Sequence, residues 1–73
     1  MSDWEDALER IAQAQGMLDE VRDEKGSDAA QDFCDSVGEK LESMAAWIAD
    51  NDHVTPKMED AIANIIAGIE KWQ

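Results

Sequence analysis

Residues 54–72, VTPKMEDAIANIIAGIEKW, contain the clearest helix signal in this chain of 73 residues. Thr55 is a favourable N-cap residue, and Pro56 follows at the first helical position, where its missing N–H is not needed. Apolar residues then recur at steps of four and three, which is the spacing of one face of an α-helix. These residues are Met58, Ile62, Ile65, Ile69 and Trp72. The pattern predicts a helix over residues 56–72 with an isoleucine-rich face.

The N-terminal segment shows the same periodicity between a start and a stop signal, which predicts a helix over residues 3–25. Ser2 and Glu5 have the spacing of a capping box, in which the Ser2 hydroxyl accepts from the Glu5 N–H and the Glu5 side chain reaches back. Gly26 follows the last turn, where glycine readily adopts a positive φ. The expected core face is Trp4, Leu8, Ile11, Ala14, Leu18 and Val21.

The middle segment predicts a helix over residues 28–50. Either Ser27 or Asp28 is the expected N-cap, and Asp28 would form a capping box with Gln31. Asn51 is expected at the left-handed position after the last turn. The expected core face is Ala30, Phe33, Val37, Leu41, Met44 and Ile48.

These three helices are joined by short connections, which favour antiparallel neighbours. The sequence therefore predicts an all-α protein with a single domain, residues 1–73, folded as a three-helix up-down-up bundle. The alternative is a long helical hairpin that dimerises, with the third helix crossing between subunits. Residues 54–73 carry a net charge of −1, against −5 for residues 1–25 and −6 for residues 26–53. We therefore expect the third helix to be the central packing element, with a surface for a partner or a second copy as the alternative role of its apolar face.

The charge balance limits the classes of partner. Eighteen acidic residues against six basic ones give a net charge of −12 and an isoelectric point near 4.1. Direct binding to nucleic acid or to anionic lipid depends on basic groups, so neither is expected. The first ten residues, MSDWEDALER, lack the basic and apolar pattern of a signal peptide, and no apolar run reaches the ~20 residues that span a bilayer, so neither a leader nor a membrane span is expected. A single cysteine, Cys34, excludes an intrachain disulfide and fits a reducing compartment. The sequence predicts a cytoplasmic protein that contacts no membrane.

The most pointed feature is a row of acidic residues in the middle helix. Five acids recur at steps of four and three and occupy a sector of about 80°, opposite the apolar face. They are Asp28, Asp32, Asp35, Glu39 and Glu42. At ~1.5 Å per residue the row is about 21 Å long, and its charge spacing is comparable to that of a phosphate backbone. We predict that it binds the basic surface of a nucleic-acid-binding protein, supported by Asp19, Glu20 and Asp23, with Trp47 as an apolar anchor. A solvated surface that only confers solubility is the plainer interpretation.

Two resemblances accompany this pattern. In size, acidity and helical content the chain resembles the small acidic antagonists of phages and mobile elements, including DNA mimics and anti-CRISPR inhibitors. FCDS at residues 33–36 and VTPK at residues 54–57 are similar to a helical hairpin of many phage-encoded proteins, in which Phe-x-x-Ser precedes a Leu/Val-Ser/Thr-x-Lys-Gln turn. Met58 stands where that motif has Gln, and the likeness covers residues 33–72. The first resemblance implies an inhibitor, and the second implies no activity by itself. Both point to a phage or mobile-element origin, which implies the cytoplasm of a host cell.

The sequence gives little support for a catalytic site. Cys34 and His53 are the only thiol and imidazole, and about five helical turns separate them. Cys34 is expected to be a semi-buried apolar residue, with an intermolecular disulfide as the alternative, and His53 a solvated loop residue. The stretch around Asp50 and Asp52 lacks the ligand spacing of an EF-hand. We therefore expect a non-enzymatic binding protein without metal or cofactor. The alternative function is a homo-oligomeric assembly module with the third helix as its interface.

Overall fold

A computed structural model describes residues 2–72, and this part of the chain contains three α-helices and no strand. They are α1, Asp3–Lys25; α2, Asp28–Asn51; and α3, Pro56–Glu70. The helices are packed into a body measuring 36 × 18 × 17 Å. The predicted all-α, three-helix bundle is confirmed.

The turn between α1 and α2 is formed by the capping residues of the two helices. Gly26 has a φ of 57°, and its N–H donates to the carbonyl of Arg22 over 3.2 Å. Ser27 then caps α2, because its hydroxyl accepts from the N–H of Ala30 over 3.2 Å. Of the two predicted N-caps, Ser27 is therefore correct, and the capping box that starts at Asp28 is not formed.

The other two helix starts differ in their capping bonds. The hydroxyl of Thr55 accepts from the N–H of Met58 over 3.1 Å, as predicted. The capping box predicted at Ser2 was wrong, because the Ser2 hydroxyl donates to the Glu5 carboxylate over 3.1 Å instead of accepting a backbone N–H. The backbone carbonyl of Ser2 still accepts from the Glu5 N–H over 3.2 Å, so α1 begins at the predicted place.

Two helix ends shift by one or two residues from their predicted positions. α2 continues through Asn51, whose side-chain amide donates to the carbonyl of Trp47 over 2.8 Å. Asp52, with a φ of 48°, takes the left-handed position predicted for Asn51, and aspartate is among the residues that tolerate it. α3 ends at Glu70 and not at Trp72, because the last residues of the helix tighten into a shorter turn.

The core lies along α1, which corrects the expectation that the third helix is central. The backbone of α1 lies close to that of α2 and, over a shorter stretch, to that of α3, whereas the backbones of α2 and α3 approach each other at few positions. Ala7 and Ala14 are buried on α1, and such small side chains let a neighbouring helix approach closely. The buried side chains are Ala7, Ile11, Ala14, Leu18, Val21, Ala30, Cys34, Leu41, Ile48, Val54, Ile62 and Ile69. α3 packs on α1 of the same chain.

The half-buried apolar residues surround this core. Several residues of the predicted core faces are only half-buried: Trp4, Leu8, Phe33, Val37, Met44, Met58, Ile65 and Trp72. Phe33 and Trp72 stack with ring centroids 5.3 Å apart where the start of α2 meets the end of α3. Cys34, expected to be semi-buried, is fully buried. The half-buried residues thus come from all three helices, Trp4 and Leu8 of α1 included.

Candidate acidic interface

The five acids of the predicted row lie on one continuous helix, α2, and all five are exposed. α2 runs without a break from residue 28 to residue 51, so the four-three spacing keeps the carboxylates within one sector of its surface. The row lies opposite the buried Leu41 and Ile48. We call the residues Asp28, Asp32, Asp35, Glu39 and Glu42 the acidic row.

One member of the row is joined to a basic residue. The guanidinium of Arg22 on α1 lies 2.5 Å from the carboxylate of Asp35, and this is the only ion pair among residues 2–72. Both side chains face water, with exposed fractions of 44% and 73%. Pairs this exposed stabilise a fold by about 0–1 kcal/mol. Arg22 therefore offsets one negative charge of the acidic row, and no other cation of the described residues lies at salt-bridge distance from the remaining four acids.

α1 adds an acid to the same surface. Asp19 meets Asp35, Glu39 and Glu42 along a groove of about 600 Å³ between α1 and α2, and Arg22 lies in the same groove. The remaining residues that line the groove are Gln15, Leu18, Cys34 and Gly38. Four acidic residues and one basic residue give this groove a strongly negative surface.

The other predicted interface residues lie outside the groove. Asp28 and Asp32 extend the acidic row along α2, and Asp23 is exposed on α1 one turn beyond Asp19. Glu20 is also exposed, but the helical rotation turns it to the outer side of α1, away from α2. Trp47 is 38% exposed and lies about 140° around α2 from Glu42, on the side that faces α3. The fold thus unites Asp19 with the acidic row and does not place Trp47 beside it.

Sequence reasoning missed the contribution of Arg22. This residue lies one turn after the buried Leu18, on the edge of α1 that faces α2. The four-residue spacing from Leu18 could therefore have indicated that Arg22 lies near α2. The thiol of Cys34 was expected to be partly exposed, yet it is buried and donates to the carbonyl of Leu18 over 3.5 Å. Burial leaves the thiol poorly placed for a disulfide between molecules.

A second acidic groove, of about 480 Å³, lies between α1 and α3. It is lined by Asp3, Asp6, Ala7, Glu9, Arg10, Gln13, Glu59 and Ile62. Its acids come from two helices, whereas the acidic row has one regular spacing along a single helix. Acidic surface is therefore present on both sides of α1.

Cys34 and His53 are not brought together by the fold. Cys34 lies in the core between α1 and α2, whereas His53 is exposed in the loop before α3, with its ring centroid 6.2 Å from that of Trp47. Within residues 2–72, no group of three or more His, Cys, Asp or Glu side chains is arranged to hold a metal ion. The acidic interface is thus the candidate site with the clearest geometry.

No protein-family model, curated protein or solved structure matches this chain. Across the described part of the chain, none of the helices combines the length and the apolar character needed to cross a bilayer.

Proposed function

We propose that the protein is a non-enzymatic inhibitor whose acidic row and Asp19 occupy the basic nucleic-acid-binding surface of a partner protein. The observation that carries this proposal is the row itself: five exposed carboxylates in one sector of one helix, of which a single one is ion-paired. The resemblance to small acidic phage antagonists, of the DNA-mimic and anti-CRISPR type, agrees with this function.

The physical basis is competition for the same electrostatic site. A basic groove binds nucleic acid largely because its lysines and arginines neutralise phosphates and release counterions. A rigid helix that presents carboxylates at intervals of one turn offers such a groove a similar array of charge. Because α2 is held by the core, the backbone that carries the carboxylates needs no ordering at binding, and only their side chains lose freedom. The inhibitor would therefore exclude nucleic acid by occupying its channel.

The experiment that tests this function is capture of a partner from a nuclease-treated bacterial lysate at low salt. The expected result is a basic protein that duplex DNA displaces from the immobilised chain. Affinity should fall steeply between about 0.05 and 0.5 M NaCl, because the Debye length shortens and exposed charges are screened. A retained protein that neither DNA nor RNA can displace would refute the proposed mode of binding.

A matched pair of variants separates the position of the charges from their number. The test variant carries Asp32→Lys, Glu39→Lys and Glu42→Lys, which reverses three acids of the row and spares the ion-paired Asp35. The control variant makes the same change in net charge at three exposed acids outside the row. These control positions are Glu9, Asp60 and Glu70.

We expect the test variant to lose at least about tenfold in affinity and the control variant to keep most of its binding. Equal losses in both variants would show that only net charge matters, and the acidic row would then not be the interface. Far-ultraviolet circular dichroism of both variants verifies that the exposed substitutions leave the helices formed.

A further inference from the structure

The ion pair between Arg22 and Asp35 lies at the centre of the acidic row. Asp35 is the third of the five acids along α2, and Arg22 reaches it from the last turn of α1. Arg22 also lines the acidic groove between these two helices. In the described part of the chain no other acid is ion-paired. The one neutralised position therefore interrupts the row in its middle.

The interruption divides the row into two shorter runs of charge. Asp28 and Asp32 precede the paired residue, and Glu39 and Glu42 follow it. At ~1.5 Å per residue, Asp32 and Glu39 are separated by about 10 Å along the helix axis, whereas neighbouring members of the row are separated by about 5 Å. The free protein thus presents two pairs of acids in place of a continuous row.

This ion pair is placed so that it can open without a change in the fold. The side chains of Arg22 and Asp35 are 44% and 73% exposed, so both are reached by water and by an incoming cation. Neither belongs to the buried core. Pairs this exposed change an equilibrium by no more than about fivefold, so a competing cation can replace Arg22 at small cost.

We propose that Arg22 is an autoinhibitory contact, an intramolecular counter-ion that holds Asp35 until a cation of the basic partner replaces it. The inference rests on the proposed function, because it takes the acidic row as the surface that the partner binds. When a site is available in only a fraction of the molecules, its apparent affinity falls in proportion to that fraction. The complete row of five carboxylates is therefore free for contact only once the partner has displaced Arg22.

A supporting role for Arg22 predicts the opposite effect of its removal. If the guanidinium held Asp35 in the conformation that the partner needs, loss of the guanidinium would weaken binding. Loss of a competing counter-ion strengthens binding, because Asp35 becomes free in every molecule and the local potential becomes more negative. The sign of the change in affinity therefore distinguishes the two roles.

Isothermal titration of the full chain with a peptide of eight arginines, at about 0.05 M NaCl, measures this sign. Arg22→Gln removes the counter-ion and should lower the dissociation constant about two- to fivefold, the range that an exposed pair allows. Lys57→Gln makes the same change in net charge in the first turn of α3, near the start of α1, and should change the constant less than about 1.5-fold. At about 0.5 M NaCl the difference between the two variants should disappear, because the charges are screened.

A double-mutant cycle shows whether Arg22 acts through Asp35. In a chain that carries Asp35→Asn there is no carboxylate at this position to release, so adding Arg22→Gln should change the dissociation constant less than about 1.5-fold. Circular dichroism checks that each variant keeps its helices, which is expected because both side chains are exposed.

The autoinhibitory role is overturned if Arg22→Gln raises the dissociation constant, leaves it unchanged or acts no more strongly than Lys57→Gln. It is also overturned if the full effect of Arg22→Gln persists beside Asp35→Asn, since the guanidinium would then act elsewhere.

The two triple charge-reversal variants of the proposed function, titrated with the same peptide, keep the two proposals apart. Selective loss of binding by the variant of the acidic row, together with no effect of Arg22→Gln, would remove the autoinhibitory role alone. Equal losses by the row variant and its matched control, or no binding by the wild-type chain, would overturn the proposed function and this inference with it.

Discussion

Replacing glycine by alanine should stabilise the protein at Gly16 and destabilise it at Gly26. Gly16 is exposed inside α1, and a Cβ added there meets no atom within 4 Å. Gly26 also has open space around it, but its φ of 57° is a left-handed conformation that alanine adopts with difficulty. The two substitutions add the same methyl group, so backbone conformation alone determines the difference between them.

The magnitudes follow from these two environments. Alanine in a helix interior is favoured over glycine by about 0.8–1 kcal/mol, so Gly16→Ala should raise the free energy of unfolding by that amount. At Gly26 the left-handed conformation costs alanine about 1–2 kcal/mol, so Gly26→Ala should lower the free energy of unfolding by that amount. The substitution strains the cap that ends α1. Urea unfolding followed at 222 nm measures both values. With a slope of about 1 kcal/mol per molar urea, the midpoint should rise by about 1 M for Gly16→Ala and fall by about 1–2 M for Gly26→Ala.

The sign of each shift is the decisive result. Stabilisation by Gly26→Ala would show that the residue is not left-handed in solution and that the connection between α1 and α2 is not the turn described here. Destabilisation by Gly16→Ala would show that a neighbour covers this position of α1. A change in the slope of the urea transition would point instead to an effect on the unfolded chain.

Three further predictions concern the caps, the thiol and the ion pair. Thr55→Ala should cost about 1 kcal/mol in urea unfolding because a cap bond is lost, whereas Ser2→Ala should cost less than half as much, and equal costs would contradict the bonding described. Cys34 should react with a thiol reagent at least about 100-fold more slowly in the native protein than in guanidinium chloride, and equal rates would show that the side chain is not buried. Arg22→Gln should change the free energy of unfolding by less than about 1 kcal/mol, because its bond to Asp35 faces water; a larger loss would show a stronger coupling of α1 to α2.

Helix boundaries were largely predictable because they depend on local chemistry. Thr55 with Pro56 and Gly26 act on the backbone within a few residues, and the structure confirms both signals. Ser2 is the N-cap residue of α1, but the predicted capping bond is missing because its hydroxyl donates to the Glu5 carboxylate, an acceptor that spacing alone cannot rule out. The acidic row was predictable as a sector of α2, since it requires only a regular helix.

The arrangement of the helices was not predictable in the same way. The low charge and wide apolar stripe of α3 suggested a central position, but α1 packs on both other helices. An apolar stripe shows which side of a helix is apolar, but not how many neighbouring helices pack against that side. In the structure, part of the α3 stripe is only half-buried where it faces α2. The bond from Arg22 to Asp35 likewise depends on how α1 and α2 are aligned, which neither segment specifies alone.

The core of the described residues contains no buried polar or charged side chain. Apart from the buried Cys34 thiol, which donates to the Leu18 carbonyl, its helices are therefore aligned by the shapes of aliphatic groups. Aliphatic residues of similar volume replace one another at a cost usually below about 1.5 kcal/mol. Homologues of a protein with such an interior can therefore lose most of their sequence identity while they keep the same backbone fold. Structural comparison is then a better guide to common ancestry than sequence comparison.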